Sequence, residues 1–269
     1  MLKSTVLWII AIVLTLASIT YQRMTGPTHP AYGSVKIGGE KIKYSLPRSA
    51  TSTMDEEIKV KVPDTNITAQ IKFRRYKSYD EWTTADMKRE GEYLSYFIPK
   101  QPMAGKVLYE VTLTDQAGNS KPLTDEPVIM RFKDPVPDYI LFPHIFFMLA
   151  WMFMATRTGL QALVKGRSLF KYTLITTIFV ICGGLILGPL VQKFAFHAFW
   201  TGWPIGHDLT DNKTITAFLF WVIALWRVKK GKGRGWVIAA AVVTLLVYLI
   251  PHSTLGSEID YTKLPQSGS

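Results

Sequence analysis

The sequence predicts a membrane α-helical bundle of five transmembrane helices joined to an extracytoplasmic β-sandwich domain of immunoglobulin-like architecture. Three observations predict it. Apolar residues are gathered into five blocks, each approaching the ~20 residues a helix needs to cross hydrocarbon. The long stretch between the first and second blocks reads as short β-rich runs punctuated by turn residues. Two short connections between later blocks carry only positive charge. Bulk composition alone would point to a globular protein, because mean hydropathy is only slightly positive and 19% of residues are charged. The segregation of the apolar residues decides the class.

The first block spans residues 5–21 behind a single Lys3. No small-x-small cleavage site follows in residues 18–23, so a retained signal anchor is predicted. The second block spans 139–155, the third 172–191, the fourth 215–226 and the fifth 236–250. The fourth is short, and must borrow length from residues 211–214 or 227–228. The predicted organisation is an anchor over 1–22, a β-sandwich over 23–137, a four-helix transmembrane domain over 138–252 and a tail over 253–269.

Within the β-region, strands are predicted at 33–37, 41–46, 57–62, 68–76, 93–98, 106–114 and 127–132. Gly38-Gly39, Pro63-Asp64, residues 99–105 and residues 115–119 separate them. Residues 80–92 are more polar and read as an inserted loop or a short helix. About seven short strands in ~100 residues suit an immunoglobulin-like sandwich, although no cysteine pair is present. The region has no histidine after His29, no cysteine and no Gly-rich phosphate loop, which favours a partner-binding or site-covering module over a catalytic one. Residues 134–138, Asp-Pro-Val-Pro-Asp, form a stiff link into the second block.

Arg157, Lys165, Arg167 and Lys171 follow the second block; Arg227, Lys229, Lys230, Lys232 and Arg234 follow the fourth, with no acid in either connection. Positive loops stay in the cytoplasm. The expected location is therefore a bacterial inner membrane, multi-pass, with the N-terminus cytoplasmic and the β-domain, the 194–213 loop and the C-terminal tail outside. These nine cations explain most of the net charge of +11 through topology and contact with membrane lipid, so no nucleic-acid partner is called for. All five histidines then fall on the outer side.

The candidate site is the loop from 194 to 213, with His197, His207, Trp200, Trp203, Asp208, Asp211 and Asn212. Imidazoles ligate metals or haem iron, indoles wall flat ligands and carboxylates orient imidazoles. His144, a helical turn inside the second block, and His252, just beyond the fifth, are candidate metal ligands on the same side. Simpler roles compete: interfacial belt for the tryptophans, and caps of the fourth helix for Asp208, Asp211 and Asn212. Cys182 is the only cysteine, which excludes intrachain disulfides, cysteine-rich zinc or iron–sulfur sites and covalent c-type haem attachment within the chain. Gly184 and Gly188 have the small-xxx-small spacing of close helix contact, and Pro189 should disturb the helix end.

Trp200, Gly202, Trp203 and Asp208-Leu-Thr-Asp211-Asn212 resemble the tryptophan-rich loop of the haem-handling membrane proteins of cytochrome c biogenesis. That family carries a further tryptophan before the aspartate, where this chain has His207, and a glutamate where it has Asp211. The resemblance implies binding or transfer of haem, or a related redox cofactor, at the outer membrane face. His144 and His252 would be axial ligands and Trp200 and Trp203 would pack on the macrocycle. Two further readings stand beside it: a membrane scaffold or accessory subunit whose β-sandwich binds a partner protein, and a membrane metalloprotein using the same histidines. No catalytic residues are assigned.

Overall fold

The computed structural model describes residues 4–251, 256 and 258–263, so His252 lies outside the described residues. The chain divides into two compact units. One holds the helices, and the other holds the strands from residue 28 to 135 together with the described part of the tail.

The helical unit contains α1 (Ser4–Thr25), α2 (Asp138–Leu163), α3 (Leu169–Phe196), α4 (Leu209–Lys229) and α5 (Arg234–Leu249), five helices among the described residues. The helices α1, α2 and α3 are long and apolar enough to cross a membrane, α5 is apolar but shorter, and α4 carries charge at both ends. As anticipated, α4 takes length from both flanks. Arg157 and Lys171, read from sequence as loop residues, lie inside α2 and α3; the apolar runs stop before them, but the backbone hydrogen bonding does not.

Burial on α2 is concentrated in its second half, where Trp151, Met152, Met154, Ala155, Thr156, Arg157, Thr158, Gly159, Gln161 and Ala162 are all buried, so this part of the helix is enclosed on more than one face. Gly159 sits against α5, where an added Cβ would lie 2.6 Å from Ala241 Cβ. Small residues permit that approach. Trp221 on α4 donates its indole N–H to Thr244 Oγ1 on α5 at 2.9 Å, in full burial. On α3, Thr173, Thr176 and Thr177 return their hydroxyls to carbonyls one turn back. Thr176 also meets Thr158 of α2 at 2.9 Å.

Across Ile181–Leu187, α3 widens into a π-helical segment before resuming as an α-helix over Gly188–Phe196. The segment runs up to Pro189, which has no N–H to continue the α-helical ladder and whose ring crowds the carbonyl four residues back, a clash that a wider turn relieves. Of the expected glycine pair, Gly184 faces α4, 2.7 Å in Cβ terms from Thr214 Cγ2, whereas Gly188 meets α2 only at His144 Cε1, 3.8 Å away; the close approach to α2 is made by Gly183, 3.0 Å from Phe147 Cβ.

In the β-unit, all seven expected strands form: β1 (Ala31–Ile37), β2 (Glu40–Leu46), β4 (Glu56–Lys61), β5 (Thr68–Arg75), β8 (Tyr93–Ile98), β9 (Lys106–Thr114) and β11 (Val128–Lys133). Four short ones were not legible: β3 (Ser49–Thr51), β6 (Thr83–Asp86), β7 (Lys88–Glu90) and β10 (Ser120–Pro122). Residues 80–92 are thus neither a plain loop nor a helix. Their polar side chains sit on edge strands, with Met87 as the main buried apolar residue, so period-two alternation has too little length to register. The strands form a hairpin β1-β2, a sheet β3-β11-β9-β5-β6 with β10 beside β9, and a sheet β4-β8-β7. Every pair is antiparallel except β3 with β11, which is parallel.

One core joins the three sheets, with Leu46 from the hairpin, Ile58 and Leu94 from the three-stranded sheet, and Ile71, Tyr109, Val111 and Phe132 from the larger one. Tyr109 satisfies its buried hydroxyl by donating to the Pro47 carbonyl at 2.7 Å. The tail returns to this unit. Glu258 accepts from Lys106 Nζ at 2.5 Å and from Lys77, the Ile259 N–H donates to the Ala104 carbonyl, and Tyr261 lies under the Arg75 guanidinium.

Candidate functional site

The loop between α3 and α4 is built from its own polar groups. Asp208 precedes α4 and accepts the Thr210 N–H at 2.8 Å, an N-cap contact. Its own N–H donates to the Thr201 carbonyl at 2.9 Å. Asp211, one turn on, turns back: its Oδ2 accepts the N–H groups of Thr201 at 2.7 Å and Gly202 at 2.9 Å, with the Thr201 hydroxyl at 3.4 Å. Asn212 Oδ1 accepts the Trp203 N–H at 2.6 Å. The Gly202 carbonyl then accepts from both Ile205 and Gly206. Three consecutive loop amides thus end on two consecutive side chains in the first turn of α4. Gly202 is required, since a Cβ there would stand 2.5 Å from Asp211 Cβ.

This bracing brings together Asp208, Asp211 and Asn212 of the sequence-predicted site, with Trp200 and Trp203 beside them. Trp200 donates its indole N–H to the Trp203 carbonyl at 3.0 Å and is half-buried, whereas Trp203 and Ile205 are 72% and 77% exposed. His197 closes α3 in the left-handed region (φ 57°) and is exposed, as is His207.

His144 stands apart from the loop's hydrogen-bond network. From α2 its Nδ1 lies 3.0 Å from the Gly183 carbonyl, in the π-helical segment of α3. A carbonyl only accepts, so Nδ1 carries the proton and Nε2 of the neutral ring keeps its lone pair. The same Gly183 carbonyl accepts the Gly188 N–H five residues on, so it serves both the widened turn and the imidazole.

Sequence reasoning missed three members of this region. Gln192 donates to Thr201 Oγ1 at 2.5 Å, holding the loop to α3. Thr201 offers its N–H, carbonyl and hydroxyl to three partners. Lys213, 8% exposed, reaches the Ile250 carbonyl at 2.9 Å and so completes the C-terminal end of α5. The available signal for Lys213 was an isolated cation at the mouth of an apolar run, which must find an acceptor when buried.

Among the described residues, no group of three or more His, Cys, Asp or Glu side chains is arranged to hold a metal ion. Compared with known proteins, the chain matches no family model and no curated sequence.

Proposed function

We propose that this protein is a five-crossing inner-membrane scaffold or accessory subunit. Its extracytoplasmic immunoglobulin-like sandwich holds a partner protein, and its 194–213 loop forms a rigid outer rim of the membrane domain. The observation that carries the reading is the use of Asp208, Asp211 and Asn212: each accepts backbone N–H groups of the loop and helix start, as bracing and capping residues do. Trp203 and Ile205 then project as interfacial anchors. The sandwich assignment is supported by strand order. The sheet β4-β8-β7 corresponds to B-E-D, and β11-β9-β5-β6 to G-F-C-C′, of a variable-type domain.

The second reading, a haem or related cofactor at the outer face, is favoured by one observation only. His144 has its Nδ1 tied to a backbone carbonyl, the arrangement that orients an imidazole with Nε2 ready to ligate. His144 is the residue that would hold the iron.

Two measurements on the full chain, purified in mild detergent from its native membrane, separate the readings. The scaffold reading expects a colourless protein that takes up no added haemin and migrates on native gels in a complex with a stoichiometric partner. A Soret band that shifts on reduction and is lost in His144→Ala, from a protein migrating alone, would replace it with the cofactor reading.

A further inference from the structure

A cavity of about 600 Å³ opens between α1, α2 and the start of α3, at the end of the bundle bearing Arg167 and Lys171. Its floor holds Arg157, a residue only 1% exposed. Nη1 donates to Gln161 Oε1 at 2.7 Å and Nη2 to Ser4 Oγ at 3.3 Å, both neutral oxygens, and Nε has no hydrogen-bond partner among the described residues. The guanidinium carbon also lies 4.8 Å from the Trp8 ring centre and 4.9 Å from that of Tyr172. Among the described residues no acid lines the cavity, and the sequence has none in residues 1–39 or 139–207. Rings and amides soften the cost of a buried cation but do not neutralise it.

We propose that this cavity binds one phosphate group, with Arg157 as the central ligand and Arg167 and Lys171 as the rim. A guanidinium fork matches phosphate oxygens bidentately, and the two exposed cations add charge where a headgroup would enter. Leu7 and Phe179 in the wall supply apolar surface that a free inorganic ion does not need but an acyl-bearing phosphate does. The acid-free connection between α2 and α3 puts this end at the cytoplasmic leaflet, where anionic headgroups are available; this placement rests on the topology proposed above.

The test uses the full chain in detergent. Native mass spectrometry counts retained phosphatidylglycerol against phosphatidylcholine, and thermal melts are run with each lipid and with inorganic phosphate. One phosphatidylglycerol retained per chain, displaced weakly or not at all by phosphatidylcholine, is the expected result. Arg157→Gln should weaken retention about tenfold or more. The pair Arg167→Gln/Lys171→Gln should weaken it several-fold, and reads the site even if Arg157→Gln fails to fold. Lys229→Gln/Lys230→Gln/Lys232→Gln, in the other basic connection, should leave it unchanged. Stabilisation by inorganic phosphate in phosphatidylcholine, lost in Arg157→Gln, would assign the phosphate to a soluble ester; stabilisation by phosphatidylglycerol alone assigns it to a lipid. Equal retention of the two lipids that is lost with the cavity substitutions would place recognition on the phosphodiester both share; retention indifferent to the cavity substitutions, without a phosphate response, would overturn the proposal. Because binding is read in detergent, a reversed topology would leave these results standing and fail only the labelling experiment described below.

Discussion

Removing the Asp211 carboxylate should loosen the 194–213 loop and leave the helices in place. Two backbone amides, Thr201 and Gly202, end on Asp211 Oδ2 at 2.7 and 2.9 Å. Hydrogen bonds to a charged acceptor contribute about 1.5–3 kcal/mol each when buried. Asp211 is half-buried, and water replaces part of what is lost, so Asp211→Ala should destabilise the closed loop by about 2–3 kcal/mol. At 1.4 kcal/mol per decade, exchange of those two amides should quicken about 30- to 150-fold. Hydrogen exchange of the detergent-solubilised chain, followed by mass spectrometry of peptides covering 199–206, measures it. Asp211→Asn retains an acceptor oxygen without its charge, and should give about a fivefold increase. Gly202→Ala should resemble Asp211→Ala from the other side of the contact, because its Cβ would sit 2.5 Å from Asp211 Cβ. If exchange at Thr201 and Gly202 stays within about twofold of the natural chain in Asp211→Ala, the loop is held by something else, and the bracing role fails.

Tail docking should depend on acid. Burial alone would raise the Glu258 carboxyl, but hydrogen bonds from Lys106 and Lys77 outweigh it and hold it below the usual glutamate value of 4.5. A depressed carboxylate stabilises the folded form above its unfolded pKa, and that contribution disappears as pH falls through the folded value. Protection of the Ile259 and Thr262 amides should therefore persist at neutral pH and be lost below the ordinary glutamate range, while Glu258→Gln should lose it at all pH values. Tyr109→Phe should cost the β-domain about 1–2 kcal/mol in chemical denaturation, because the Pro47 carbonyl loses its donor. Thr244→Val should cost the helical unit about 1 kcal/mol, the scale of single interhelical hydrogen bonds in membranes, and leave Trp221 Nε1 without an acceptor. In a Cys182→Ala background, an impermeant maleimide should label Lys121→Cys in intact spheroplasts and Lys230→Cys only after lysis; the reverse pattern would invert the topology.

The strands β1, β2, β4, β5 and β9 were readable because they alternate over six or more residues, and β8 and β11, where consecutive residues are buried, because they are runs of apolar and aromatic residues between turn signals. The edges β3, β6, β7 and β10 were not, since three or four residues paired on a sheet margin carry no period. Helix positions were readable to within a turn or two. Their ends were less so, because residues such as Lys171 and Lys213 are polar to a hydropathy count and helical to the backbone.

The loop illustrates a different limit. Residue types that suit a ligand site also suit a loop that must satisfy itself. Near an apolar medium every loop N–H needs a protein acceptor, and aspartate and asparagine in the first helical turn are the nearest ones available. A histidine–tryptophan–aspartate loop between apolar helices therefore predicts a demanding backbone as strongly as it predicts a cofactor. What separates the two is where the carboxylate oxygens point, and here those of Asp208 and Asp211 accept N–H groups of the chain's own backbone. Arg157 presents the opposite case. Sequence treated it as one of several topology-setting charges, yet it lies fully buried against neutral groups in a cavity that no acid lines among the described residues. A charge that the fold buries and does not neutralise is a stronger sign of a missing ligand than a cluster whose members already satisfy the backbone.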